Sequence, residues 1–526
     1  MAWPTTSIST THLDNDADSP VLARPDLKQM ADNVNDIAGS LLDEDDLVSN
    51  SSLAIATQQS IKAYCDKTLK RDMAIFDAVN DYGAVGDDST DDLTALQAAV
   101  DAAEAAGGGV VVLPDLTYRV SSALIIDSPD VVLLGLGKGA LIKTTNTSID
   151  IIQLKSDCVI KNVSFASVSV PTNGDAIQIQ DDAEVVLEDV EIYNTFNGIL
   201  IFESSSVHIN NLDISQLHGG SGMSITGGSG NIAKKVIMNG VRITQPYPVT
   251  LTSHSQFKTW ASSTAFSEGD VVVSSGNIYQ CSTAGTSGAT TPSGKGSSNA
   301  ADAFTTEISD GTAGWKYVGS SSLKQLRVNT YSEDISISDL IIDGGAHGLH
   351  IESTTGTAAD VPTRVNVKNA YITGCYHENV TSTSGKDIVL EINSSHCWQG
   401  KGLNATGSNL DHLSVSGKIH DCFEEGIYLS GVSDARIQAA VGNNSQSGSA
   451  SFSGIRVGPS SERFYIVNTT SGDITGGTNN QAHGVTIDED ASIDNYVIRD
   501  CILQDNVTGG LDDNTLSTTS SVGGNI

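Results

Sequence analysis

Hydrophobic residues in this chain fall in short alternating runs, and one run keeps returning as Gly-apolar-x-apolar or a near variant. It reads "DAIQI" at Ile177, "NGILI" at Ile199, "SGMSI" at Met223 and "YPVTL" at Val249. It resumes as "HGLHI" at Leu349, "ENVTS" at Val380, "KGLNA" at Leu403, "EGIYL" at Ile427, "SGIRV" at Ile455, "HGVTI" at Val485 and "GGLDD" at Leu511. Successive anchors lie 22, 24, 26, 100, 31, 23, 24, 28, 30 and 26 residues apart, and Ile152 of "DIIQL" precedes Ile177 by 25. A second strand accompanies the first in seven copies: "CVIKNVSF", "VVLEDVEI", "VHINNLDI", "VIMNGVRI", "ISISDLII", "VNVKNAYI" and "YVIRDCIL". The fifth position of each is Asn, Asp or Gly, which suits a bend with left-handed backbone angles. Two short strands plus turns, repeated in register, predict an all-β chain wound as a parallel β-helix. Alternation puts one apolar set inside and the intervening residues on the outer face.

A solenoid exposes apolar surface and unpaired strand edges at its first rung. The best helical pattern, residues 91–106, stands just before the strands begin. Leu93, Leu96, Val100 and Ala103 mark one buried stripe, Ser89 and Asp92 have capping-box spacing, carboxylates crowd the positive end of the dipole, and Gly107–Gly109 end the run. This predicts a helix that plugs the open end.

The segment 76–142 carries D-Y-G-A-V-G-D-D-S-T-D-D, then GGG-V-V-V-L-P, then T-Y-R-V. It resembles the capped beginning of pectate-lyase-like right-handed β-helices. The resemblance implies the right-handed fold, on a scaffold that serves lyases, hydrolases, epimerases and plain adhesins.

The first 70 residues differ in character. Leu27, Met30, Val34, Ile37 and Leu41 fall at 3-4-3-4 spacing, which fits a short coiled coil or one amphipathic helix packed inside a domain. The stretch "STTHLDNDADSPVLARPDLKQMADNVNDIA" resembles N-terminal segments of bacteriophage tail fibres and tailspikes. That resemblance implies a homotrimer with parallel chains, docked to phage tail or adaptor proteins through residues 1–70.

The long interval in the repeat points to an inserted unit at 255–320. The expected organisation is an attachment and trimerisation segment at 1–70, a capped β-helix at 71–254, the insert, and the remaining β-helix at 321–526. The insert's W-x-x-x-[ST]-x-[FY]-x-x-G-D-x-V pattern and its aromatics resemble small chitinase-type carbohydrate-binding modules. Trp260, Trp315 and Tyr317 are candidate sugar-stacking faces. The alternative is that these aromatics are the core of a small β module.

Composition narrows the partners. With 28 Lys plus Arg against 63 Asp plus Glu, the formal charge is −35, a poor match to nucleic acid or an anionic membrane. No apolar run reaches the ~20 residues that span a bilayer. The N-terminus lacks the basic and apolar regions of a secretory signal, so the expected location is a virion, made in the host cytoplasm and released by lysis. Seven scattered cysteines show no CxxC pair and read as buried free thiols. No phosphate loop or metal motif is present, and no cofactor or metal is expected.

What remains for chemistry is paired carboxylates on a stacked surface. Residues two before each anchor should form one column: Asp175, Asn197, Ser221, His347, Glu378, Lys401, Glu425, Ser453 and His483. Glu378 and Glu425, two rungs apart with Lys401 between them, are the candidate acid/base pair, with Glu352 and Glu424 in reserve. Tyr428, His350, His347 and Arg456 are candidate substrate contacts beside them. The competing reading is an ordinary charge ladder on a solvated face. The expected function is binding and cleaving a host surface polysaccharide. A non-catalytic adhesin or structural fibre is the runner-up, and a free cellular lyase or epimerase is disfavoured by the N-terminus.

Overall fold

The computed structural model describes residues 74–526 apart from 138, 205, 230, 449, 475–479, 491, 516–519 and 525–526, and before them residues 28, 30, 32, 41–42 and 55–56. The chain divides into two units, Met1–Ile75 and Phe76–Ile526. In the first, Leu41–Leu42 pairs in parallel with Ile55–Ala56. Leu27, Val34 and Ile37 of the expected helical seam lie outside the described residues, as does any attachment or trimerisation role for them.

The second unit is a right-handed parallel β-helix whose rungs stack in three strand lanes. The first lane holds the anchors. Ile152 pairs with Ile177, Ile177 with Ile199, Ile199 with Met223, and so on to Val485 with Leu511. The second and third lanes are the two halves of the accompanying strand, on either side of its bend. All seven predicted bend residues have left-handed backbones: Asn162, Asp189, Asn211, Gly240, Asp339, Asn369 and Asp500, with φ between 49° and 65°. Inward residues from the three lanes form one continuous apolar core, with Ile177, Ile209, Leu349 and Ile427 all essentially unexposed. Each such side chain contributes roughly 1.5–3 kcal/mol.

The helix Leu93–Ala105 closes the N-terminal end, burying Leu96, Ala99, Val100 and Ala103. It also replaces the missing rung with side chains. Gln97 Oε1 accepts from the Ile125 N–H at 3.0 Å while its Nε2 donates to the Ile125 carbonyl at 2.9 Å. Glu104 Oε1 accepts from Asp127 and Ser128 at 2.8 and 3.0 Å. The expected capping box is absent. Ser89 lies in the strand Asp87–Asp91, and Asp92 turns its carboxylate back to the N–H groups of Val85 and Gly86 at 2.6 and 3.1 Å.

The repeat does not pass through Val249. Met223 pairs directly with Leu326, and Leu326 with Leu349. Val249 sits in a bend, where the Gln280 amide brackets its backbone with two 2.7 Å hydrogen bonds. Between the strands Val236–Gln245 and Lys324–Val328 the chain forms an antiparallel sheet of Val271–Ser274, Asn277–Thr283, Ala313–Ser320 and Ile308–Asp310. This module lies along the corner that leads from the third lane into the first. Val170 N–H donates to the Ser298 carbonyl at 2.7 Å, Tyr317 Oη to the His218 carbonyl at 3.1 Å, and Phe257 packs on Tyr376 and Trp398.

The six described cysteines are buried and no disulfide joins them to one another, and burial pushes the Cys158 thiol up to about 12. No helix among the described residues is long and apolar enough to cross a membrane.

Candidate functional site

The predicted column exists in register on the outer face of the first lane. Asp175 lies opposite Asn197, Ser221 opposite Lys324, and Lys324 opposite His347. The pairings Leu349–Val380, Val380–Leu403, Leu403–Ile427 and Ile427–Ile455 then carry it through Glu378, Lys401 and Glu425 to Ser453. Lys324 is the member that sequence reading missed, because Val249 had been placed in its rung. Five consecutive rungs from Lys324 to Glu425 therefore present ionisable side chains.

The next outward column, one residue after each anchor, runs Arg327, His350, Thr381, Asn404, Tyr428, Arg456. The stack thus brings Tyr428 and Arg456 beside Lys401 and Glu425, and His350 beside His347 and Glu378. Lys401 and Arg456 lie 5.6 and 5.8 Å from the Tyr428 ring centre. Glu352, just past the end of the strand His347–Ile351, is held by Lys324 at 2.6 Å and Arg327 at 2.5 Å.

Glu425 is 1% exposed, with Lys401 at 3.6 Å and Arg456 at 3.4 Å. Lys401 also binds Glu424. Burial works to lower the Lys401 ammonium, but Glu424, Glu425 and Glu378 together raise it, so it stays charged. Burial likewise works to raise the Glu378 carboxyl, but His347, Glu378's own N–H and His377 outweigh it and bring it down to about 2. His347 Nδ1 lies 3.7 Å from that carboxylate, close enough for charge and too long for a firm hydrogen bond.

Three imidazoles crowd Glu378: His347 stacks on His377 at 4.5 Å and meets His350 edge-on at 5.0 Å. Burial and the charge of His347 pull His350 down to about 3 and His377 to about 4, leaving both neutral near pH 7. Both ring nitrogens of His350 are buried without a hydrogen-bond partner, unmet capacity on the face where a polar ligand would lie. His377, Arg327 and Asp488, which pairs with Arg456 at 3.0 Å, were not anticipated. They fall outside the chosen column, though the anchor periodicity places them on the same face.

Chemically, the patch combines a carboxylate held ionised, a second buried carboxyl between two cations, a fixed ammonium and neutral imidazoles. That is acid/base equipment with no nucleophile motif.

The insert's aromatics divide. Trp315 and Tyr317 are both 0% exposed and form the module's core with Phe266, Val272, Tyr279 and Phe304. They present no face to a sugar, which corrects the stacking role expected for them. Trp260 is half-buried at the edge of that core and donates from Nε1 to Asp310 at 2.8 Å, which leaves part of its ring open. Elsewhere Asp411, His412 and Asp434 bring ligand atoms within 4.8 Å of one another, but Arg463 already neutralises Asp434 at 3.0 Å.

Residues 76–287 match the family model described as rhamnogalacturonase A/epimerase, pectate lyase-like. Alginate lyase 7 of Azotobacter vinelandii is 53% identical over 68 residues, 12% of this chain and 8% of that protein, so the match spans only a small part of that relative's length. Among solved structures, the A-module of the A. vinelandii mannuronan C-5 epimerase AlgE6 is 15% identical, covering 86% of this chain and 98% of that one with a TM-score of 0.44. Tailspike protein 3 of bacteriophage CBA120 is 13% identical, covering 86% of this chain and 62% of that one with a TM-score of 0.49. The protein is thus similar in sequence, over short stretches, to proteins named for work on polysaccharides.

Proposed function

We propose that this protein is a phage tailspike that binds and depolymerises a host surface polysaccharide at the first-lane cluster. The observation that carries this reading is the run Lys324–His347–Glu378–Lys401–Glu425 on consecutive rungs. The name of the matched family model, the alginate lyase similarity and the tailspike-like N-terminal stretch support it.

Glu378, ionised, is the general base. Glu425, two rungs away at ~4.8 Å per rung and buried between Lys401 and Arg456, is the proton donor. A carboxyl pair separated by two rungs suits inversion, since ~6.5–9.5 Å leaves room for a water. Lys401 and Arg456 hold the Glu425 carboxyl in position. The chain assembles as a parallel homotrimer on the virion and reaches the outside by lysis. Exposed apolar residues on the second lane, such as Ile237 at 43% exposure, supply a wall for other chains to cover.

Purified protein spotted on host lawns should raise translucent halos, and Glu378→Gln should not. Ultraviolet absorbance from unsaturated ends in the digest would turn the chemistry from hydrolysis to elimination. Equal halos from wild type, Glu378→Gln and Glu425→Gln would overturn the site. One observation favours a second reading, a non-catalytic adhesin: each cation of the cluster is already paired with a carboxylate, Lys324 and Arg327 sharing Glu352. Binding to host cells with no halo would select it.

A further inference from the structure

The two ends of the charged run are balanced differently. At the C-terminal end Lys401 pairs with Glu424 and Glu425, and Arg456 with Glu425 and Asp488, so two cations face three carboxylates. At the N-terminal end Lys324 and Arg327, both on the strand Lys324–Val328, share Glu352 alone. No other carboxylate among the described residues pairs with either of them. Ser221 and Ser224 lie opposite them on the preceding rung, His347 and His350 on the following one, and none of these four supplies a negative charge. One unit of positive charge is left unmatched, in a chain whose formal charge is −35.

Both cations can be reached from solvent, with side chains 24% and 25% exposed. A charge buried to that extent costs free energy unless an opposite charge or hydrogen bonds offset the lost water. Lys324 Nζ is already spent on Glu352, through bonds of 2.6 and 2.9 Å. Arg327 is not. Only its Nε is engaged, at 2.5 Å, and its two terminal nitrogens have no hydrogen-bond partner among the described residues. A guanidinium anchored at Nε presents those nitrogens as a fixed fork, the geometry that takes two oxygens of one oxyanion. Ser224, opposite Arg327 and partly exposed, adds a hydroxyl beside it. The positive field also reaches the next rung, where burial, His347 and then Lys324 pull His350 down to about 3.

We propose that, on the reading of the first-lane cluster as the polysaccharide site, Lys324 and Arg327 form its anion subsite and take one carboxylate or sulfate carried on the polymer. Arg327 holds two oxygens of that group through its terminal nitrogens. Lys324 adds its charge while remaining bound to Glu352. The subsite lies three rungs from Lys401, ~14 Å at ~4.8 Å per rung. The anionic group therefore belongs to a sugar away from the cleaved linkage, and it sets the register in which the polymer lies over Glu378 and Glu425. Lys324 and Arg327 select the substrate and take no part in the proton transfers.

The probes are D-glucuronate for a carboxylate and D-glucose 6-sulfate for a sulfate, with methyl α-D-glucopyranoside as the neutral control. Saturation-transfer NMR on the full chain, at millimolar concentration, reads the contact. At least one anionic sugar should bind more tightly than the neutral glycoside, and which one binds identifies the group. Arg327→Gln should weaken that binding about tenfold. Arg327→Lys keeps the charge beside Glu352 but loses the fork, and should weaken it as well, so a folding defect in the first variant does not decide the matter. Arg436→Gln, which removes an exposed cation from the strand Arg436–Gly442, should change nothing. No tighter binding of either anionic sugar, or equal binding by wild type and both Arg327 variants, overturns the proposal. Glu378→Gln should bind the anion as wild type does, which separates this result from catalysis. Halos without anion binding would leave the depolymerase standing and remove the subsite, whereas Arg327-dependent anion binding without halos would keep the subsite on a binding-only face.

Discussion

The two halves of the first-lane column occupy equivalent backbone positions and hold opposite chemistry. In the N-terminal half, Asn197 Nδ2 donates to Asp175 at 3.0 Å and its Oδ1 accepts from the Ser221 N–H at 2.9 Å, a mostly neutral hydrogen-bonded ladder. In the C-terminal half the positions belong to Lys324, His347, Glu378, Lys401 and Glu425. The interior behind both halves is the same aliphatic stack, Ile177 and Ile199 in one, Leu403 and Ile427 in the other. The column lies two residues before each inward anchor, where the chain turns into the strand, so its residues can change without the core behind them. Stacking then turns residues more than 20 positions apart in sequence into neighbours, which is how a repeat fold collects charge in one place.

The carboxylates mark the difference most sharply. Burial and the nearby Asp150 push Asp175 up to about 6 despite its bond from Asn197, whereas Glu378 is held at about 2. The greatest effect should come from the charged half. Glu378→Gln and Glu425→Gln should each lower depolymerisation by about 10²–10⁴-fold while the circular dichroism spectrum shows the β-helix still folded, and Asn197→Ala should leave the rate within about twofold.

Next is Lys401→Met, which leaves Glu425 buried with Arg456 as its one remaining cation. It should cost about 3 kcal/mol in denaturant unfolding. A cost near zero would mean that the cluster is a solvated ladder. Smaller is the pH response. The raised Asp175 contributes stability that is fully present below its unfolded value of 3.8 and is lost as pH rises through about 6. Asp175→Asn should therefore stabilise the protein by on the order of 1 kcal/mol at pH 8 and by nothing at pH 3.5. Glu378 has the opposite sign. Its contribution is present above 4.5 and disappears as pH falls toward 2. Last, Asn197→Ala should cost about 1 kcal/mol through its two hydrogen bonds, measured by thermal melt.

Much of this was legible in the chain because the fold is periodic. The bend residues could be named from their chemistry, and the column from Glu378 to Ser453 could be laid out by counting back from the anchors. Lys324 escaped for a physical reason. Most rungs place Gly just before the anchor, since a Cβ at Gly198 or Gly348 would come within 2.1 Å of the next rung's carbonyl oxygen. At Gln325 and Asn379 a buried amide takes that place and bonds inside the corner instead, to the carbonyls of Gly344 and Ser395. The "KQLRV" rung therefore lacks the glycine signal.

Trp315 and Tyr317 were readable in principle. They alternate with Lys316 along Ala313–Ser320, which puts both rings on one face of a strand, and a module this small needs that face for its own core. The seat of the insert's Phe257 on Tyr376 and Trp398 was not readable. It depends on where an inserted arm crosses a corner, and no local pattern encodes that crossing.

The direct pairing of Met223 with Leu326 has a consequence for synthesis. Rungs of a parallel solenoid can be added in order as the chain emerges, each settling on the one before. At ~5–20 residues per second, the chain between these partners takes roughly 5–20 s to appear. For that interval the edge of Ser221–Thr226 has no strand to receive. Antiparallel hairpins close in about 1–10 μs, so the inserted sheet has ample time to form and dock along the corner first. Slowing translation within 250–320 should therefore prolong the exposure of that edge and lower the yield of folded protein, as should substitutions that delay closure of the inserted sheet.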